Sequence, residues 1–200
     1  MRHGVVAVLV LVCAYLIGSW NFSVTVLRLA GRADPRTVHS GNPGVTNVAR
    51  TAGLGVAAIV LVLDLARAVI AERVAARFCW TTFLPWVGFA LILGNRFPLW
   101  HGLRGGKGVS SYLGFTGAIQ PWGAVVACAG WLAAYGVTRI SAVASMAMLV
   151  GLTATMVLSV PRTASALVAT SLSVLLIVAG HAPNWRALRK TGKGDGPLEL

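Results

Sequence analysis

The chain alternates between long apolar runs and short polar segments. Apolar runs cover about Gly4–Leu27, Ala52–Ala71, Phe78–Leu93, Val109–Gln120, Trp122–Val137, Ile140–Val160 and Thr163–Gly180. Polar stretches separate them at Arg28–Arg50, Glu72–Arg77 and Gly94–Gly108, with turns at 138–140 and 161–162 and a polar tail after Gly180. A perpendicular helix needs about 20 residues to cross the hydrocarbon core, so most of these runs can span or nearly span it. The run before Pro121 is too short to cross fully and reads as a half-span or a tilted helix whose end is covered by protein. The pattern predicts an all-α integral membrane protein, a compact bundle of about seven short transmembrane helices. Residues 1–200 are expected to form a single membrane-embedded domain.

Composition agrees with lipid as the solvent. Apolar residues make up 56% of the chain and charged residues only 11%, well below the roughly 25% of a soluble domain. Mean hydropathy is +0.77. The first run, preceded by Arg2, has the look of a signal peptide, but six further apolar runs exclude an exported soluble protein. Cys13, Cys79 and Cys128 lie in or beside apolar runs and fit neither a metal site nor a disulfide framework. Among the small residues, Gly55, Gly88, Gly130 and Gly151 are expected to let helices approach closely.

Charge then orients the bundle. Lys and Arg outnumber Asp and Glu by 17 to 5. With seven spans, the loops after the first and third runs, the 138–140 turn and the tail share one side. Twelve of the basic residues fall there, Lys193 in the tail among them, against five on the other side. That excess marks the first side as cytoplasmic and the N-terminus as outside. The clustering in short loops argues against nucleic acid, and no nucleic-acid-binding module is visible. It fits an anionic substrate.

Three polar segments carry the candidate chemistry. The first, DPRTVHSGNPGVTNVAR from Asp34 to Arg50, is dense in turn formers and small polar groups. Gly41, Gly44 and Pro43 set turns whose successive N–H groups form anion-binding nests. Ser40, Asn42, Thr46 and Asn47 add hydroxyls and amides, and Arg36 and Arg50 add fixed positive charge. The second places Arg104, Gly105, Gly106, Lys107 and Gly108 just before a predicted helix start, a phosphate-binding arrangement. It is not a Walker A loop, because His101 and Gly108 stand where that pattern needs Gly and Ser or Thr. In the third, His181 and Asn184 are three apart and share a face if that segment is helical. Inside the apolar runs, Asp64 and Arg67 are spaced to pair, since lone charges in lipid are costly.

Together these segments resemble the bacterial membrane-integral acyl-phosphate:glycerol-3-phosphate acyltransferase family. SGNPGVTNVAR (Ser40–Arg50) carries most of the resemblance, with Gly18, Ser19, Asp34, Arg36, Asp64, Arg67, Phe97 and Pro98 in matching places. RGGKGV (Arg104–Val109) resembles the second motif, and His181 with Asn184 the third. The resemblance implies transfer of a fatty acyl group from acyl phosphate to position 1 of glycerol 3-phosphate, giving lysophosphatidic acid for phospholipid synthesis, without acyl-CoA, metal or cofactor. It implies a cytoplasm-facing site in the bacterial plasma membrane, membrane lipid around the chain, and a partner enzyme that makes acyl phosphate. It places Ser40, Arg50, His181 and Asn184 in the catalytic group. Gly41, Asn42, Gly44, Thr46, Asn47, Arg104, Gly105, Gly106, Lys107 and Gly108 bind substrate, with Ser141, or alternatively Ser145, as a further contact.

The chain departs from the family pattern in places. Asn95 stands where the family usually has His, and His39 where it usually has Gly. The third motif runs NWRAL, with Arg186 displaced and Ala187 in its place, and Lys193 falls near a usual Glu, with Asp195 the nearest acid. These changes mark a divergent member. They keep two other readings open at the level of sequence: a catalytically weak paralogue serving as a lipid-synthesis partner, and a small anion transporter.

Overall fold

A computed structural model describes residues 2–191 of the chain; Lys193 and Asp195 lie outside the described residues. The described residues form nine helices and no strands: α1 (Arg2–Gly18), α2 (Phe22–Leu29), α3 (Val45–Phe78), α4 (Leu84–Arg96), α5 (Val109–Ile119), α6 (Pro121–Thr138), α7 (Ser141–Ser159), α8 (Ala164–Gly180) and α9 (Ala182–Thr191). The all-α class is as expected. Four helical stretches, Gly4–Leu29, Val45–Phe78, Ser141–Ser159 and Ala164–Lys190, are long and apolar enough to cross a membrane.

Several boundaries differ from the sequence reading. The first apolar run is two helices, broken at Ser19–Asn21. Asn21 caps α2, its Oδ1 accepting the Val24 N–H at 3.1 Å. The break leaves the carbonyls of Gly18 and Trp20 without helical donors. Arg67 supplies them from α3, its Nη1 donating to Gly18 O at 3.1 Å and to Trp20 O. A guanidinium 47 residues away therefore makes a break tolerable inside an apolar run. Residues 72–77, read as a connector, continue α3 to Phe78 because Glu72 and Ala75 turn inward and are buried. At its other end α3 turns sharply at Gly53, whose φ of 84° and ψ of 171° suit a residue without Cβ. The third span starts later than expected, at Leu84, after a short 3-10 turn. The tail beyond His181 is helical as α9.

α4 packs on α1 and α8, α3 on α5, and α6 on α7. Their shared core contains Leu91, Ile92, Phe115, Leu152, Met156 and Ile177. A smaller cluster of Leu27, Val48, Ala57 and Val60 fixes α2 across the bend of α3. Apolar side chains such as Val62, Leu132, Val150 and Leu175 stay exposed, which lipid rather than water would cover.

The closest helix approach is not at the glycines expected. A Cβ on Gly55 or Gly130 would meet nothing within 4 Å. Gly88 and Gly151 do face neighbours, Phe115 and Ala127. The tight seam is α1 on α4: a Cβ on Gly94 would lie 2.1 Å from Tyr15 O, and one on Gly18 would lie 2.1 Å from Leu91 O. Both obstacles are backbone, so only helix separation could relieve them. Gly94→Val should cost more than the roughly 1–3 kcal/mol usual for overpacking. A lower unfolding temperature and loss of a monodisperse peak in detergent would show it; wild-type stability would contradict this packing.

Candidate functional site

The loop between α2 and α3 is folded by its own side chains. Asp34 accepts from the Arg36 backbone N–H at 2.9 Å and pairs with the guanidinium at 2.7 Å. Arg36 thereby holds the Asp34 carboxyl below the ordinary carboxylate range. Asn47 is buried and donates to Pro35 O at 2.7 Å and Val38 O at 3.2 Å. Its amide thus closes the loop rather than pointing at a ligand. His39 sits at φ 49°, left-handed backbone that glycine adopts without cost. That accounts physically for a glycine at this place in the family pattern.

The loop between α4 and α5 is anchored to the first. Gly106 N donates to Asn95 O at 3.0 Å. A Cβ on Gly106 would lie 3.0 Å from Asn95 Oδ1 and 3.2 Å from Pro43 O. Asn21 Nδ2 donates to that same Pro43 O at 3.4 Å. Gly108, at φ 89°, then turns the chain into α5.

Three helices begin at one place. α3, α5 and α7 start after Gly44, Gly108 and Ile140, and none has a side-chain cap. Their first residues, Val45 to Asn47, Val109 to Ser111, and Ser141 with Ala142, line one cavity of about 550 Å³. Uncapped N-termini leave N–H groups unsatisfied by the helix and carry partial positive charge, so an anion is stabilised where they meet. Lys107 lies beside them. Its stem packs on Gly180, and its ammonium donates to Asn184 Oδ1. His181 is buried, with Nδ1 2.9 Å from Ile177 O. A carbonyl can only accept, so Nδ1 carries a proton. Farther in, Asp64 and Arg67 form the anticipated pair at 3.0 Å, and Arg67 Nη2 also donates to Ser111 Oγ at 3.0 Å.

The cavity gathers Ser40, Asn42, Gly44, Thr46, Asn47, Arg50, Gly106, Lys107, Gly108, Ser141 and His181 among the sequence candidates. Ser145 lines it as well. Asn184 reaches it through Lys107. Gly41 and Gly105 stay outside the lining and shape their loops. Arg104 turns to a separate cavity with Arg28, Asp34 and Arg36. The sequence reading missed Asp64, Asn95 and Ser111 as lining groups. Asp64 showed only as a charge inside an apolar run, and Asn95 and Ser111 only as polar residues flanking the glycine-lysine loop. The remaining wall is apolar, with Leu54, Ala57, Leu61, Trp131, Leu132 and Met148 on α3, α6 and α7.

Comparison with known proteins matches residues 8–191 to the family model described as glycerol-3-phosphate acyltransferase. A glycerol-3-phosphate acyltransferase of Anaeromyxobacter dehalogenans (strain 2CP-1) is 41% identical over 151 residues, 73% of this chain and 75% of the relative. One from Pseudomonas savastanoi pv. phaseolicola is 37% identical over 178 residues, 88% of this chain and 90% of the relative. Among solved structures, PlsY (YgiH), an integral membrane glycerol 3-phosphate acyltransferase, superposes in its glycerol 3-phosphate form with a TM-score of 0.85. The two are 29% identical, over 94% of each chain. Its lysophosphatidic acid form gives a TM-score of 0.81 at 27% identity, over 94% of this chain and 93% of that one.

Proposed function

This chain belongs to the glycerol-3-phosphate acyltransferase family and is an integral membrane acyltransferase, and on that premise we propose that its acyl donor is acyl phosphate and its acceptor the position 1 hydroxyl of glycerol 3-phosphate. The observation that carries this reading is the make-up of the cavity. A cationic, N–H-rich end formed by three helix starts and Lys107 adjoins an apolar wall on α3, α6 and α7. A phosphate joined to a fatty chain matches both ends at once. The solved relative has a glycerol 3-phosphate form and a lysophosphatidic acid form, which supports these two compounds as acceptor and product.

The chemistry needs little from the protein beyond placement and charge. The acceptor hydroxyl oxygen attacks the acyl carbon, and the bond from that carbon to the phosphate oxygen breaks. Lysophosphatidic acid and inorganic phosphate leave. N–H donors and Lys107 stabilise charge on the departing phosphate and on the acyl oxygen. The hydroxyl proton passes to the departing phosphate or to Nε2 of His181, whose tautomer Ile177 O fixes. Ser40 and Arg50 stand in the same lining as binding and orienting groups, and Asn184 steadies the Lys107 ammonium. Residues 1–200 act as one membrane-embedded unit, with the cavity on the cytoplasmic side by the excess of basic residues in the loops that build it. Acyl phosphate then comes from a separate enzyme at that face.

A choice of donors tests the reading. Reconstituted protein given palmitoyl phosphate, palmitoyl-CoA and labelled glycerol 3-phosphate should form labelled lysophosphatidic acid from palmitoyl phosphate alone, acylated at position 1. His181→Gln should lower the rate roughly 10²–10⁴-fold if the imidazole carries the proton, and much less if the phosphate does. Equal product from palmitoyl-CoA would overturn the donor assignment.

A further inference from the structure

Asp34, Arg36 and Arg104 belong to the matched motifs, yet the catalytic cavity uses none of them. They line a second cavity of about 420 Å³, with Arg28, Trp100 and His101, that shares no residue with the first. Arg36 is held rigid there. Its guanidinium pairs with Asp34 at 2.7 Å and donates to His101 O at 2.8 Å. Arg28, in the last turn of α2, and Arg104, just before Gly105, both present exposed side chains to the same space. Three guanidinium groups against one carboxylate leave an excess of two positive charges. Burial and the nearby arginines push the His101 imidazole below its usual range, so at neutral pH it adds no charge. Its Nε2 is buried with no hydrogen-bond partner among the described residues.

The surroundings fix the depth. Trp20, Leu29, Leu99, Trp100 and Leu103 are all exposed around this end of the bundle. Aromatic and apolar side chains beside arginines are the composition of a membrane interface, where headgroups lie. Trp100 is also tied to the bundle, its Nε1 donating to Leu16 O at 3.4 Å. That belt sets this basic recess at headgroup level.

We propose that this outer cavity binds a phosphate group at the membrane surface, at a site separate from the catalytic cavity. Phosphate suits it on three grounds. Guanidinium groups match phosphate oxygens in bidentate geometry. Two excess charges complement one phosphate. The fixed Asp34–Arg36 pair leaves Arg28 and Arg104 as the adjustable arms. An anionic phospholipid headgroup and a soluble phosphate share this chemistry, and the experiment separates them.

The lipid arm measures retained phosphatidylglycerol against phosphatidylcholine by native mass spectrometry, for wild type and for the Arg28→Gln/Arg104→Gln double variant. Each arginine near an anionic surface is worth about fivefold in affinity, so the pair should account for roughly twenty-five-fold. The Arg28→Lys/Arg104→Lys variant should keep most of the selectivity. The soluble arm measures thermal stabilisation by inorganic phosphate in neutral detergent, for the same proteins. Loss of phosphatidylglycerol selectivity in the Gln variant assigns the site to a headgroup. Loss confined to the phosphate-induced stabilisation assigns it to a soluble anion. No change in either arm overturns the proposal. Should the Gln variant fail to fold, wild type alone decides, since headgroup selectivity must collapse when salt is raised several Debye-screening steps. Selectivity that is absent, or indifferent to salt, overturns it.

Discussion

Lys107→Met is expected to reduce kcat roughly 10²–10³-fold, the usual consequence of removing one preorganised donor from a developing anion. The reason is its position. Lys107 sits between the uncapped start of α5 and the buried Asn184, which receives its ammonium. Its stem rests on Gly180, so the charge is held by packing on α8 as well as by a hydrogen bond. A cation in that place stabilises the leaving phosphate more than the bound donor, because charge grows on the phosphate as the bond breaks. The loss should therefore appear mainly in kcat, with a smaller change in KM. Lys107→Arg should recover only part, since the planar guanidinium has a different shape from a compact ammonium. An unchanged unfolding temperature would assign the effect to chemistry. Activity within tenfold of wild type would remove Lys107 from the leaving-group role.

Arg67→Met should be the most destabilising single replacement, costing about 3–5 kcal/mol, because it strands a buried carboxylate. Arg67 and Asp64 expose only 5% and 9% of their side chains, so Asp64 has little water to fall back on. The same change withdraws donors from Gly18 O, Trp20 O and Ser111 Oγ. The break between α1 and α2 and the start of α5 would loosen together. A double variant, Asp64→Asn/Arg67→Met, should be more stable than Arg67→Met alone, because no charge remains unpaired. Thermal unfolding in detergent reads both. A double variant no better than the single would mean that the backbone contacts of Arg67, rather than its charge, dominate.

These two sites show what a sequence discloses and what it hides. The two loops that line the cavity were legible because their shape is set by backbone. Tight turns and anion nests require Gly, Pro, Asn and Ser, and those letters stand out between apolar runs. The Asp64–Arg67 pair was legible because two charges three apart in lipid have few alternatives. The break at Ser19–Asn21 was not. Its Ser19, Asn21 and Ser23 are scattered among apolar residues of the same run, and the group that makes it tolerable lies on α3. The α1–α4 seam was hidden for the same reason. Gly18 and Gly94 look like Gly55 and Gly130 until two backbones are placed side by side. Arg104 shows the reverse error. It neighbours the glycine-lysine loop in sequence, yet its side chain faces the outer basic cavity. Continuation of α3 through Arg77 was missed because a run of charges resembles a loop when the burial of Glu72 and Ala75 is unknown.

The proposed reaction requires one cavity to hold the phosphate where α3, α5 and α7 begin. The most direct measurement is an experimental structure of the lipid-reconstituted protein with glycerol 3-phosphate, in which the phosphate is located. Its oxygens should lie within hydrogen-bonding distance of Lys107 and of the first N–H groups of a converging helix, with the glycerol hydroxyls toward the apolar wall. Phosphate found only between Arg28, Arg36 and Arg104, with the inner cavity empty, would contradict it.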